Sequence, residues 1–136
     1  MEENSKPKGD PILSYAIELS QGERLFLYRR SQKLTQSEMA KELELPLLVY
    51  FQLEQDTAAT QHKNLISIGD SPPLPYEACV ILRRRIGWTQ QELAKKIGVC
   101  RWWLNLMELG RKDYSRLIEW WNKKYEAAHS KHGSSN

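Results

Sequence analysis

The chain repeats itself at an offset of 54 residues. Glu23 to Asp56, ERLFLYRRSQKLTQSEMAKELELPLLVYFQLEQD, aligns without gaps on Glu77 to Gly110, EACVILRRRIGWTQQELAKKIGVCRWWLNLMELG, with 9 of 34 positions identical. The identities are Glu23/Glu77, Arg29/Arg83, Arg30/Arg84, Thr35/Thr89, Gln36/Gln90, Glu38/Glu92, Ala40/Ala94, Lys41/Lys95 and Glu54/Glu108. Apolar character is kept at Met39/Leu93, Leu43/Ile97, Leu45/Val99, Tyr50/Leu104 and Leu53/Met107. A fixed internal period marks one structural unit used twice. Between the copies stands GDSPPLP, Gly69 to Pro75, whose prolines mark a linker or sharp turn. The division expected is a disordered polar tail over 1–10, a first module over 11–68, the linker over 69–75, a second module over 76–129 and a disordered polar tail over 130–136.

The repeat settles a stretch that is ambiguous alone. LPLLVYF, Leu45 to Phe51, is seven apolar residues in a row, and its Val, Tyr and Phe favour a strand. In register with the second copy, Leu47 to Glu54 lies opposite the helix that ends before Gly110. Each copy reads as short helices: Gln21 to Lys33 and Tyr76 to Ile86 carry apolar residues at helical spacing. Thr35 and Thr89 precede Glu38 and Glu92 by three residues, the capping-box spacing. Gly98 and Gly110 suit helix ends. Asp10-Pro11 suits the start of another helix over Ile12 to Leu19, and a further helix is expected from Tyr114 to Tyr125. The fold class is all-α: two tandem small helix-turn-helix modules joined by a Pro-rich linker.

Composition narrows the function. With 40% apolar and 27% charged residues the 136-residue chain can fold, but only as one domain or two very small ones. It lacks an apolar run of membrane-spanning length, a signal-peptide layout and enough cysteines for a disulfide framework, so a cytoplasmic protein is expected. Residues 1–70 hold 8 Lys+Arg against 11 Asp+Glu, a net −3, while residues 71–136 hold 12 against 6, a net +6. All five tryptophans, Trp88, Trp102, Trp103, Trp120 and Trp121, lie in the second half. A polyanion is drawn to that half and repelled by the other.

At Leu82 to Lys112, LRRRIGWTQQELAKKIGVCRWWLNLMELGRK, the sequence resembles the Xre/Cro-type helix-turn-helix domain of phage repressors. That family's run is an Arg in helix one, then apolar-Thr-Gln-x-Glu-Leu-Ala, Gly-Val-Ser, a recognition helix and Glu-x-Gly. The first copy resembles it more weakly, through LTQSEMAKEL and Glu54. The resemblance implies a core containing Ala94, Ile97, Leu104 and Met107. It implies structural ion pairs Arg83–Glu108 and Arg29–Glu54, and a phosphate contact from Gln90. It places Arg101, Trp102, Asn105 and Leu106 on the exposed recognition face. Arg101 suits guanine and Asn105 adenine. Arg84, Arg85, Lys95, Lys96, Arg111, Lys112 and Arg116 are the candidate phosphate footprint. Cys100 replaces the usual hydroxyl cap of the recognition helix and is the weaker acceptor. Trp102 and Trp103 are bulky for this face; packing on the last helix, beside Trp120 and Trp121, and contact with another protein are both open to them.

On the same template the first copy exposes Leu47, Leu48, Phe51 and Gln52, and no Lys or Arg occurs from Glu42 to His62. Glu44 stands where the second copy has a turn glycine, so the turn there is either strained or reshaped. Leu47, Leu48 and Phe51, with Trp103 and Leu106, are the candidate protein interface. His62, His129 and His132 with the two cysteines read as incidental, so no metal site is expected. Without a phosphate loop or nucleophile–base set, neither an enzyme nor a cofactor is expected. The expected function is a DNA-binding transcriptional regulator or accessory factor. Its second module binds double-stranded DNA, and its first mediates dimerisation or partner docking, in a homodimer or larger complex reading paired half-sites. The alternative is an antitoxin-like adaptor or assembly subunit that keeps the fold without reading DNA sequence.

Overall fold

The computed structural model describes residues 12–58 and 71–134, with side chains as far as Ala127. Those residues form seven α-helices and no strand: α1 Gln21–Ser31, α2 Gln36–Glu42, α3 Leu47–Glu54, α4 Pro75–Ile86, α5 Gln90–Ile97, α6 Arg101–Glu108 and α7 Ser115–Ser134. The fold is therefore all-α. The chain divides into two compact units, one spanning Ile17–Pro73 and the other joining residues 12–16 to the chain from Leu74 onward. None of the helices is long and apolar enough to cross a membrane among the described residues.

In the first unit α3 packs on α1 and α2 around Leu25, Met39, Ala40, Tyr50 and Leu53. In the second α6 packs on α4 and α5, burying Leu93, Ala94, Ile97, Leu104 and Met107, while α7 covers α4 and α5 with Leu117, Ile118 and Trp121. Local chemistry explains where the helices start. Ser20, Thr35 and Thr89 each accept from the N–H three residues on, and Glu23, Glu38 and Glu92 each reach back to the capping residue's N–H. Such a box satisfies two amides that a helix start leaves without partners. Pro46 and Cys100, which precede α3 and α6, give no side-chain cap bond.

The helix ends follow one plan at positions 54 residues apart. Lys33, Glu44 and Asp56 take left-handed φ values of 58°, 57° and 61°, and Gly87, Gly98 and Gly110 take 91°, 89° and 74°. After α2 the Leu45 N–H returns to the Ala40 carbonyl at 2.9 Å, and after α5 the Val99 N–H returns to Ala94 at 3.0 Å. The turn at Glu44 is thus not reshaped: a glutamate holds the conformation that the second unit gives to glycine. Left-handed backbone costs a residue with a Cβ about 1–2 kcal/mol, part of which glycine loses again to its unfolded-state freedom. Glu44→Gly is expected to stabilise the first unit by about 0.5–1 kcal/mol, read as a higher urea midpoint in far-UV circular dichroism.

Where α1 meets the end of α3, glycine and side chain have exchanged places between the units. In the first unit Asp56 accepts from the Gly22 N–H at 2.9 Å and from Ser20 Oγ at 2.6 Å. A Cβ on Gly22 would lie 2.5 Å from the Glu54 carbonyl oxygen, so only glycine fits. In the second unit Tyr76 stands at the corresponding place, and a Cβ on Gly110 would lie 2.6 Å from its ring.

Two expectations about the ends are corrected. Ile12 to Leu19 is not a helix. The Asn122 side chain on α7 brackets this segment, accepting from the Ser14 N–H at 2.7 Å and donating to the Ile12 carbonyl at 3.4 Å, and Tyr15 packs on Tyr125 with centroids 5.2 Å apart. These long-range bonds take the place of the i→i−4 ladder that the local pattern suggested. At the other end α7 runs on to Ser134, into the stretch read as a disordered tail. The expected tail over 1–10, His62, and Gly69 and Asp70 of the expected linker lie outside the described residues.

Candidate nucleic-acid interface

A carboxylate tether aligns the outer helix of each unit. Arg83 on α4 donates from Nε and Nη2 to Glu108 at 2.8 and 3.0 Å, and from Nη1 to the Trp88 carbonyl at 3.0 Å. In the first unit Arg29 makes the same three bonds, to Glu54 at 2.7 and 3.2 Å and to the Leu34 carbonyl at 3.0 Å. Both glutamates are buried. Such a fork-to-fork pair fixes orientation as well as distance, so α3 and α6 are each locked by their last residue to the first helix of their unit.

Two further members of the tether escaped the sequence reading. Gln90 Nε2 donates to Glu108 at 2.9 Å and to Asn105 Oδ1 at 3.1 Å, and Gln36 Nε2 donates to Glu54 at 2.9 Å. The expected phosphate ligand therefore has both amide hydrogens turned inward. The available signal was that Gln36 persists in the copy without a basic helix. The second addition is Tyr50, whose hydroxyl donates to Glu54 at 2.6 Å where the second unit has only Leu104. Burial opposes the charge on Glu54, but the bonds from Arg29, Tyr50 and Gln36 outweigh it and hold the carboxyl below its ordinary range. Burial and the neighbouring Glu54 push the Tyr50 hydroxyl up, so it stays a donor.

The display on α6 differs from expectation at two positions. Arg101 and Trp102 are exposed at the first turn, Trp102 to 63%, whereas Asn105 and Leu106 are half-buried. Trp103 is exposed and adjoins Trp102 with ring centroids 6.2 Å apart, and Lys112 Nζ lies 5.2 Å from its ring. Among the described residues neither tryptophan of this pair makes a ring contact with α7. That place belongs to Trp88, from the turn before α5, with centroids 5.9 Å from Trp120 and 6.1 Å from Trp121. Lys96 and Lys124 place their ammonium groups over Trp88 at 4.7 and 5.3 Å.

Around α6, Lys95, Lys96, Arg111 and Lys112 are exposed, as is Arg85 at the end of α4, and Arg84 is half-buried. Arg116 is exposed as well, and its Nη2 donates to the Ile97 carbonyl at 3.1 Å, closing the end of α5. From Leu93 to Lys112 the one acidic residue is Glu108, and it is buried against Arg83. The exposed charge of this stretch is wholly positive.

On α3 the exposed residues include Leu47, Leu48 and Phe51, while Gln52 is half-buried. Exposed Glu38, Glu42 and Glu44 stand on and after α2, with Lys41 among them. A shallow groove of about 270 Å³ runs beside α3, lined by Ser37, Glu38, Ala40, Lys41, Leu45 and Leu47. The same tether, used once in each unit, thus holds two different helices: α3 exposes Leu47, Leu48 and Phe51, and α6 exposes Arg101 beside Trp102 and Trp103. No protein-family model matches this chain, and neither a curated protein nor a solved structure shows significant similarity to it.

Proposed function

We propose that the second unit binds duplex DNA through the first turn of α6 and the basic residues beside it, and that the first unit docks a protein through the outer face of α3. The observation that carries this reading is the uniformly positive exposed charge from Leu93 to Lys112 around a helix locked in orientation by Glu108. Affinity for a duplex comes mainly from phosphate neutralisation, and specificity from side chains that reach base edges. Lys95, Lys96, Arg111 and Lys112 serve the first purpose. Arg101 serves the second, with a fork suited to guanine, and Asn105 adds a carboxamide oriented by Gln90. The Xre/Cro-type resemblance of Leu82 to Lys112 supports the same reading and makes α5 and α6 its helix-turn-helix. The chain then acts as a regulator or DNA-binding accessory factor.

Titration of labelled duplexes across a salt series tests this. Arg101→Ala is expected to weaken binding to a preferred sequence by about 1–3 kcal/mol and to relax discrimination at one base pair. Lys95→Ala is expected to weaken all sequences alike and to lower the salt slope by about one. An absence of duplex binding at about 50 mM salt would overturn the proposal. The exposed Trp102 and Trp103 favour a second reading, an adaptor without DNA recognition. In that case Trp102→Asp abolishes a protein partner, and the parent chain has no duplex affinity to lose.

A further inference from the structure

We infer that Gln90 is a positioning residue that sets Asn105 to read guanine: held by Glu108, it turns the Asn105 carbonyl inward and leaves the amino group to face a base. This rests on the duplex binding proposed above for α6.

The orientation follows from a chain of donors and acceptors inside one unit. The Glu108 carboxylate, paired with Arg83, only accepts, so Gln90 faces it with Nε2, at 2.9 Å. The same nitrogen carries a second hydrogen, which it donates to Asn105 Oδ1 at 3.1 Å. A reversed Asn105 would set its own N–H groups against that hydrogen. A reversed Gln90 would set its carbonyl oxygen against the carboxylate. The buried Glu108 thereby fixes both amides. In the first unit the corresponding Gln36 bonds Glu54 in the same way, but Phe51 stands at the place of Asn105, so that chain ends without a reader.

The consequence lies on the outer side of α6. Asn105 follows Arg101 by four residues and Trp102 by three, so the three share one face of the helix. It is half-buried, with its oxygen toward the start of α5. Its Nδ2, which has no partner among the described residues, is the polar atom left for a ligand. Bidentate pairing with adenine needs the amide oxygen and nitrogen side by side, accepting from N6 and donating to N7. With the oxygen turned inward, only donors face outward. Guanine offers two acceptors in the major groove, N7 and O6, whereas adenine sets its N6 amino group against the asparagine donors. Asn105 so oriented favours guanine.

Selection from a randomised duplex library, followed by titration of single-base changes, tests this. Asn105→Ala identifies the base pair concerned, as the position whose preference it removes. There the parent chain is expected to favour guanine over adenine about tenfold. Gln90→Ala frees the carboxamide to turn, and the ratio is expected to fall to about one or to invert. Asn105→Asp keeps an acceptor for Gln90 and turns an oxygen outward, so the preference is expected to switch to cytosine, whose N4 donates. That variant decides the matter if Gln90→Ala does not match the parent by circular dichroism. A merely structural Gln90 would change affinity for all sequences alike and leave the preferred base in place, and that result overturns the inference. So does an Asn105→Ala chain that keeps every preference, or an Asn105→Asp chain that still selects guanine. A parent chain that binds duplex but selects adenine overturns this inference alone. A parent chain without duplex affinity overturns the proposed DNA binding and this inference together.

Discussion

Glu108→Ala is expected to destabilise the second unit by about 3–5 kcal/mol, the usual cost of removing one partner from a buried ion pair. The carboxylate is fully buried and accepts hydrogen bonds from Arg83, through two of its nitrogens, and from Gln90. Without it the Arg83 guanidinium, 16% exposed, keeps only the Trp88 carbonyl as acceptor, and Gln90 keeps only Asn105. Most of the cost comes from the charge left behind, not from the lost attraction. The double variant Arg83→Met, Glu108→Leu should therefore recover much of the loss, although it removes more hydrogen bonds. Tryptophan fluorescence in urea measures this unit selectively, because all five tryptophans lie between Trp88 and Trp121. A fall of less than about 1 kcal/mol for Glu108→Ala, the range of a solvent-exposed pair, would show that the tether does not hold α6.

Trp121→Ala is the second large effect, also about 3–5 kcal/mol, as for removal of a large aromatic side chain from a packed core. Trp121 is 1% exposed, meets Trp120 edge-on at 5.0 Å and lies beside Trp88. Its removal takes away the main anchor of α7 on α4 and α5, and with it the seat of Asn122 that holds residues 12–14. Hydrogen exchange should accordingly rise along α7 and at Ser14. The buried Trp121 Nε1 has no hydrogen-bond partner among the described residues. Trp121→Phe loses ring volume but also that unpaired donor, two effects that oppose each other, so its cost is expected to stay below about 1.5 kcal/mol. If both substitutions cost the same, packing of the indole is not what holds α7.

Much of the fold was legible because it is written in local chemistry and written twice. The threonine-to-glutamate spacing set the starts of α2 and α5, and register with the second copy turned LPLLVYF from a strand candidate into α3. The Arg29–Glu54 and Arg83–Glu108 pairs followed from the resemblance, and Leu47, Leu48 and Phe51 lie exposed where the repeat placed them. The candidate interface was legible as a set of charges and only partly as a surface. The resemblance put Asn105 and Leu106 outside, but in the packed unit both are half-buried.

By itself, then, the sequence determined where most of the helices lie and stop, and which of them has basic neighbours and which exposes apolar side chains. These depend on interactions three to five residues apart and on side-chain type, both visible in a string of letters. Only the tertiary structure decided that Gln90 turns inward to Glu108, that Trp88 and not Trp102 receives α7, and that residues 12–14 are held by Asn122 instead of forming a helix. Each of these is a choice among partners distant in sequence, as far apart as the 108 residues between Ser14 and Asn122. A local pattern states only what a residue can bond; the packed chain decides which partner lies within reach.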